Sequence, residues 1–318
     1  MNTMTDQLPH TPRPLVYLVI LTWNQRETIL ECLVSATRMT YPNFRIVVVD
    51  NGSTDGTAET IKARFPNVEV VVNERNLGYP GGCNVGLRYA LEQGAEYIFA
   101  INNDVSVDPA ILDELMRETA PDVGILTPKI YFAGDPKRIW SVGGHRNRLT
   151  LEMNHRGDHE LDQGQWDHVL ERDYLIGCAH LFSRSLLEEI GLLDAGYFLY
   201  YDDLDICIRA QQAGYRLLMA PQAHMWHKVA DSSGGVDTPR ERYYMARSNV
   251  RFLRKHARGW QWLFVIPYRT TSAIKTLLRL AWHRRWDSAR AYLRGLRDGL
   301  GISTLLREEP CEHPVHRL

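Results

Sequence analysis

Asp202 and Asp203 open the run Asp202-Asp203-Leu204-Asp205-Ile206-Cys207-Ile208-Arg209. Two adjacent carboxylates ahead of an apolar helical run suit acid–base chemistry. Projected at about 100° per residue, Asp203 shares a broad stripe with Leu204, Ile206, Cys207, Ile208 and Ala210. Asp202, Asp205 and Arg209 take the other side, with Asp205 and Arg209 at the i,i+4 spacing of an ion pair. A carboxylate on an apolar face needs a partner or a task, because an unpaired buried charge is costly. Capping the helix would occupy one of the two acids, not both. Asp104 closes Asn102-Asn103-Asp104 and offers a hard oxygen anion of the kind that holds Mg2+ or Mn2+. Asp50, heading Asp50-Asn51-Gly52-Ser53, can accept two donors from a nucleobase edge or a ribose, or cap the helix that follows.

These residues need elements to hold them. Leu15–Thr22 is a continuous apolar run, as in a strand buried on both faces. Glu27–Met39 has helical spacing; Arg45–Asp50, Val68–Asn73 and Tyr97–Asn102 read as strands, with helices at Thr57–Phe65 and Gly82–Gln93 between them. Such alternation predicts βαβ units and a parallel sheet flanked by helices. Ligands of such sheets bind at the carboxyl ends of the strands. Those ends read Thr22-Trp23-Asn24, Asp50-Asn51-Gly52-Ser53, Asn73 to Gly78, and Asn102-Asn103-Asp104. Asn, Asp and Gly are ordinary turn formers, but their recurrence at four consecutive strand ends predicts a polar ligand. Thr22–Glu27 holds no glycine for the close approach of a pyrophosphate, which argues against a nicotinamide cofactor, and no P-loop is present. Asp108–Thr119 predicts a helix, 123–174 shorter strand-like pieces, Asp202–Ala213 a helix, and the chain from Arg240 helices throughout.

The motifs together resemble family 2 glycosyltransferases of GT-A fold. Leu18 to Asn24, Val47 to Thr57, Asn76-Leu77-Gly78-Tyr79-Pro80-Gly81-Gly82-Cys83-Asn84, Ile101 to Asp104, Ser141 to Gly144 and Tyr200 to Arg209 carry the likeness. Their order and spacing are most similar to the branch with bacterial rhamnosyltransferases and galactofuranosyltransferases, over roughly residues 15–255. The resemblance implies a GT-A catalytic domain over 15–239 and an inverting transfer from a nucleoside-diphosphate sugar, with a rhamnose-like deoxysugar favoured. The acceptor it implies is a hydroxyl of a polysaccharide or lipid-linked glycan of the cell envelope. Thr22, Trp23, Asn24, Asp50, Asn51, Ser53, Asn76, Gly78, Gly82, Asn84, Asn102, Asn103 and Asp104 are then donor-binding candidates. Asn102 and Asp104 take the outer positions of the Asp-x-Asp metal motif, with Asn in place of its first Asp. Asp203 would be the general base and Asp202 would orient the acceptor. Trp140 and Gly177 would border the acceptor, Trp140 as a stacking platform or as a core residue. In Ala223-His224-Met225-Trp226-His227, the resemblance makes His227 a metal ligand and leaves His224 structural.

Charge divides the chain. Residues 240–307 hold 16 Arg and Lys against three Asp and Glu, a charge of +13, whereas residues 1–239 hold 20 against 32 and the overall net charge is −1. Two apolar stripes run through the basic region: Ile274, Leu277, Leu278, Ala281 and Trp282, then Trp286, Ala289, Leu293, Leu296 and Leu300. Basic amphipathic helices edged with tryptophan suit an anionic membrane surface. Packing of these helices on the catalytic body, or on a second copy as a homo-oligomer, is the alternative, and no nucleic-acid motif accompanies the charge. Five scattered cysteines without a CxxC pair argue for a reducing compartment. Neither Leu15–Leu21 nor Trp260–Tyr268 is long enough to span a membrane. The expectation is a cytoplasmic enzyme, peripheral on the cytoplasmic face of a membrane, with a flexible segment over 1–14 and a tail over 308–318. A non-catalytic sugar-nucleotide binder or a membrane scaffold is the rival reading.

Overall fold

The computed structural model describes residues 13–228 and 237–301. Most of the segment 1–14 and all of the tail 308–318 lie outside the described residues. The chain divides into two compact units, Met1–Ser232 and Ser233–Leu318.

The first unit begins with β1 (Val16–Thr22), α1 (Arg26–Ala36), β2 (Phe44–Asp50), α2 (Thr57–Arg64), β3 (Glu69–Val72), α3 (Gly78–Glu92) and β4 (Tyr97–Asn102). It continues through β5 (Val105–Val107), α4 (Ile111–Arg117), β6 (Val123–Phe132), β7 (Asp135–Ser141), β8 (Gly144–Arg146), β9 (Met153–His155) and β10 (Leu170–Glu171). β11 (Ala179–Ser183), α5 (Arg184–Ile190), α6 (Asp202–Gln212) and β12 (Arg216–His227) complete it. The main sheet has the order β10-β12-β6-β11-β4-β1-β2-β3, with β5 added to β12 and β7 to β6. β1 to β4 are parallel, as the alternation predicts. β11 runs antiparallel between β4 and β6. Thr22 pairs with Asp50, Asp50 with Val72, and Leu21 with Asn102, so the four strands end level at one edge.

Every residue of β1 is buried, because helices cover both faces of a parallel sheet. α1 buries Ile29, Leu30, Leu33 and Ala36, the face its spacing predicts. α3 starts at Gly78 rather than at Gly82. Pro80-Gly81-Gly82 reads as a helix breaker, yet Pro80 falls in the first turn, where backbone N–H groups have no intrahelical partner and proline costs little. β11 and β12 were not legible as strands. β12 accommodates Pro221 at a register shift between Ala220 and His224, where no ladder N–H is needed.

The second unit holds α7 (Pro239–His256), α8 (Trp262–Trp282) and α9 (Trp286–Gly299). The Thr238 hydroxyl accepts from Glu241 N at 3.2 Å, and Pro239 opens α7. α9 buries its small residues, Ser288, Ala291 and Gly295. Asp237, itself buried, ties the unit together: Arg242 lies 2.7 Å away, Arg279 of α8 donates to both its oxygens, and Arg285 stands at 3.9 Å. Among the described residues no helix is long and apolar enough to cross a membrane.

Candidate active site

β4 ends at Asn102 and β5 begins at Val105, so Asn103 and Asp104 form the turn at the sheet edge. β12 runs antiparallel to β5 with His227 opposite Val105, and Lys228 N donates to Asp104 O at 2.9 Å. This pairing brings His227 Nε2 to 3.1 Å from Asp104 Oδ1. Asn102 Oδ1, Asp104 Oδ2 and His227 Nδ1 are buried and have no hydrogen-bond partner among the described residues. Each such group costs about 1–3 kcal/mol unless something outside the chain satisfies it. The two oxygens are hard donors of the kind that hold a divalent cation, and His227 stands beside them through Nε2. Trp140, half-buried, packs its ring on His227 with centroids 4.4 Å apart.

Asp203 lies in the first turn of α6. Tyr174 Oη and Gly177 N donate to its Oδ2 at 3.0 and 3.1 Å, and Leu204 N donates to Oδ1 at 2.9 Å. Gly177 has to be glycine, since a Cβ there would stand 2.8 Å from that of Asp203. The adjoining Cys178 O accepts from Asn102 N at 3.0 Å. Two consecutive residues thus connect the proposed base to the strand that bears the Asn102–Asp104 turn. Burial pushes the Cys178 thiol well up, with the charges of Asp104 and Asp203 adding to the effect, so this cysteine is no nucleophile.

The single-face projection of α6 needs correction. Asp202 and Asp205 are buried and Asp203 is only half-buried. The helix buries seven of its 11 residues, so it has no one apolar side for a projection to find. Asp205 does pair with Arg209, at 2.8 Å, but in the interior, where Arg209 also donates to Ile190 O and Leu192 O. Neither acid is the helix cap: that position is Tyr201, at φ 69°, with no side-chain cap bond. Phe198 and Tyr200 also have positive φ. Three aromatic residues with positive φ thus fall within the five residues before the acid pair, and such strain is sustained only where the surroundings dictate it. Gly78 meets the same segment, since its Cβ would lie 2.5 Å from Phe198 O. Burial, and the Asp203 charge beside it, hold the Asp202 carboxyl well above its ordinary range. A neutral Asp202 can donate a hydrogen bond that a carboxylate cannot.

The donor-side candidates divide into two groups. Thr22, Asp50, Asn51, Asn84 and Asn103 are buried. Asn51 spends its amide on the frame, donating to Asn76 Oδ1 and Gly78 O and accepting from Asn73 Nδ2 and Leu77 N. Asn84 is clamped at both ends to the Leu193 backbone. A Cβ on Gly82 would stand 2.5 Å from Leu21, so it serves packing. Asn103 Nδ2 braces Thr22 Oγ1 and Gln25. Asp50 Oδ1 accepts from Ser53 N, Ser53 Oγ from Asn24 N, and Asn24 Oδ1 from Thr54 N. Trp23 is exposed beside them. Sequence reasoning missed Tyr174 and Tyr79, whose hydroxyl donates to Gly177 O at 2.9 Å. No local pattern marks either one, because both act through tertiary contact. His224 accompanies Pro221 O and the edge of the Tyr131 ring.

Residues 17–191 match the family described as Glycosyl transferase family 2, and the chain belongs to that family. It is 25% identical over 248 residues to a dTDP-rhamnosyl transferase, RfbF, of Shigella flexneri, covering 76% of this chain and 80% of that one. It is 26% identical over 282 residues to an N-acetylglucosaminyl-diphospho-decaprenol L-rhamnosyltransferase of Mycobacterium tuberculosis, covering 81% and 87%. Among solved structures, a mannosyltransferase from Pyrobaculum calidifontis in complex with GDP-Man and Mn2+ superposes with a TM-score of 0.57 at 18% identity, over 94% of this chain and 89% of that one. That likeness supports the GT-A architecture.

Proposed function

We propose that this chain transfers a rhamnose-like deoxysugar from its nucleoside diphosphate to a hydroxyl of a polysaccharide or lipid-linked glycan of the cell envelope, at the cytoplasmic face of the membrane. The donor class and the acceptor class rest on the two rhamnosyltransferase relatives. The observation that carries the reading is the junction at Gly177 and Cys178, which fixes Asp203 and the Asn102–Asp104 turn to one another. In a single displacement the acceptor hydroxyl attacks the anomeric carbon, its proton passes to Asp203, and the bond to the diphosphate oxygen breaks with inversion. Tyr174 and Gly177 hold the base in place, while Asp202, Trp140 and Gly177 border the acceptor. Thr22, Trp23, Asn24, Asp50 and Ser53 form the donor side, on a frame set by Asn51, Asn76, Gly78, Gly82, Asn84 and Asn103. Asn102, Asp104 and His227 would hold a divalent cation, Mg2+ or Mn2+. When bound, that ion neutralises charge on the leaving diphosphate.

A thermal-shift panel of deoxythymidine-, uridine- and guanosine-diphosphate sugars, each with and without Mn2+, tests this reading. The expected result is the largest stabilisation by the deoxythymidine diphosphate sugar, and only with the metal. Stabilisation by none of them would remove the donor assignment.

A further inference from the structure

One face of α8 has no protein partner among the described residues. Leu263, Pro267, Ile274, Leu278 and Trp282 follow at i+4 and i+7 spacing along the helix, all exposed, with Leu263 at 76%, Leu278 at 66% and Trp282 at 86%. Val265 and Leu280 are buried on its other side. This is the reverse of an ordinary surface helix, which turns its apolar stripe inward. Trp260 and Phe264 at the start of the face, and Trp286 just past its end, are exposed as well. A 21-residue helix is about 30 Å long, so the stripe exceeds the scattered apolar exposure normal for a soluble surface.

Charge selects the occupant. α8 has no Asp or Glu; Lys275 and, just past its end, Arg284 are exposed, whereas Arg279 and Arg285 are drawn to Asp237 and Arg269 is half-buried. A two-fold contact with a second copy would set this basic array near its own image, at a repulsive cost. An anionic lipid surface meets both features: headgroups face the cations, and the acyl boundary takes Leu263, Ile274, Leu278 and Trp282. We infer that α8 lies in the plane of an anionic bilayer surface with this face inserted. The inference rests on the membrane location proposed above and names the surface that provides it; it uses no residue of the active site, so its failure leaves the sugar-transfer reading intact.

Cosedimentation of the full chain with vesicles tests it, comparing phosphatidylcholine and phosphatidylglycerol in equal parts with phosphatidylcholine alone. The parent should bind the mixed vesicles roughly tenfold or more better than the neutral ones. Added salt should weaken that binding without abolishing it. Leu278→Glu/Trp282→Glu should lose roughly tenfold or more on the mixed vesicles with unchanged circular dichroism, since both side chains are exposed. Lys275→Glu/Arg284→Glu, which leaves the apolar face intact, should lose the preference for anionic vesicles while keeping weak binding to neutral ones. Binding of the parent to neither vesicle, or equal binding by parent and Leu278→Glu/Trp282→Glu, overturns the inference. So does a parent dimer that this variant dissociates while neither protein binds vesicles, which would make a second copy the occupant.

Discussion

The two units carry opposite kinds of unfinished surface. In Met1–Ser232 it is polar and buried: Asn102 Oδ1, Asp104 Oδ2 and His227 Nδ1 have no hydrogen-bond partner among the described residues. In Ser233–Leu318 it is apolar and exposed: Leu263, Leu278 and Trp282 remain in water although a packed core is the usual destination of such side chains. Both arrangements leave free energy that only a partner can recover, and the sign of the deficit specifies that partner. The first deficit is the one the proposed cation would meet, and the second is the one the inferred lipid boundary would meet. The first deficit is enclosed in a sheet edge that admits one geometry. The second spreads along a helix and tolerates many, so catalytic substitutions should act steeply and tail substitutions gradually.

Asp203→Asn is the most severe test of the first unit. Sugar transfer should fall about 10²–10⁴-fold, the usual contribution of a general base, with donor affinity unchanged by calorimetry. Near-normal transfer would move the base elsewhere. Asp104→Ala comes next: Mn2+-dependent affinity for the nucleoside diphosphate should fall by about 10²-fold, since metal contacts to a diphosphate contribute several kcal/mol. Full retention of that dependence would separate the orphaned atoms from the metal.

In the second unit, Asp237→Asn should cost about 2 kcal/mol in denaturant unfolding, because Arg242 and Arg279 lose their shared acceptor. Burial raises the Asp237 carboxyl, but Arg279, Arg242 and Arg285 outweigh it and hold the group below its ordinary range. Its stabilising contribution is therefore complete above the unfolded carboxylate value and lost as pH falls through the lowered folded value. The variant should lack that acid transition, and an unaltered acid profile would deny Asp237 its role as hub. Asp202→Asn should have the smallest effect and the opposite sign. Because burial and the Asp203 charge raise the folded Asp202 carboxyl above its unfolded value, the group lowers stability increasingly above the ordinary carboxylate range. The amide should raise Tm at neutral pH, with the gain shrinking as pH falls toward that range. A lowered Tm at neutral pH would show that the acid's own hydrogen bonding matters more than its proton.

The strand ends were legible because the residues that close a parallel strand also write its turn chemistry. Thr22, Asp50 and Asn102 end their strands where periodicity places them. The orientation of α6 was not legible, because a helix enclosed on several sides has no polar face to read. The partners of Asp203 were not legible either: Tyr174 and Gly177 approach it from a distant segment, and nothing in their neighbours' types announces the contact. β12 was hidden by Pro221, which a register shift accommodates. In the basic region 240–307 the apolar stripes and the charge were both plain in the sequence. Which way the stripes face was not, because burial depends on which other helices pack alongside.

The Gly177–Cys178 junction limits how this enzyme can diversify. One peptide group of the segment steadies Asp203 and the next steadies the backbone of Asn102. A change that shifts this segment to admit a new acceptor also disturbs the turn that anchors the donor side. On the proposed reading, new acceptor preferences should therefore arise more readily around Trp140, in β7, than at the junction itself, where a substitution would disturb Asp203 and the Asn102 backbone together.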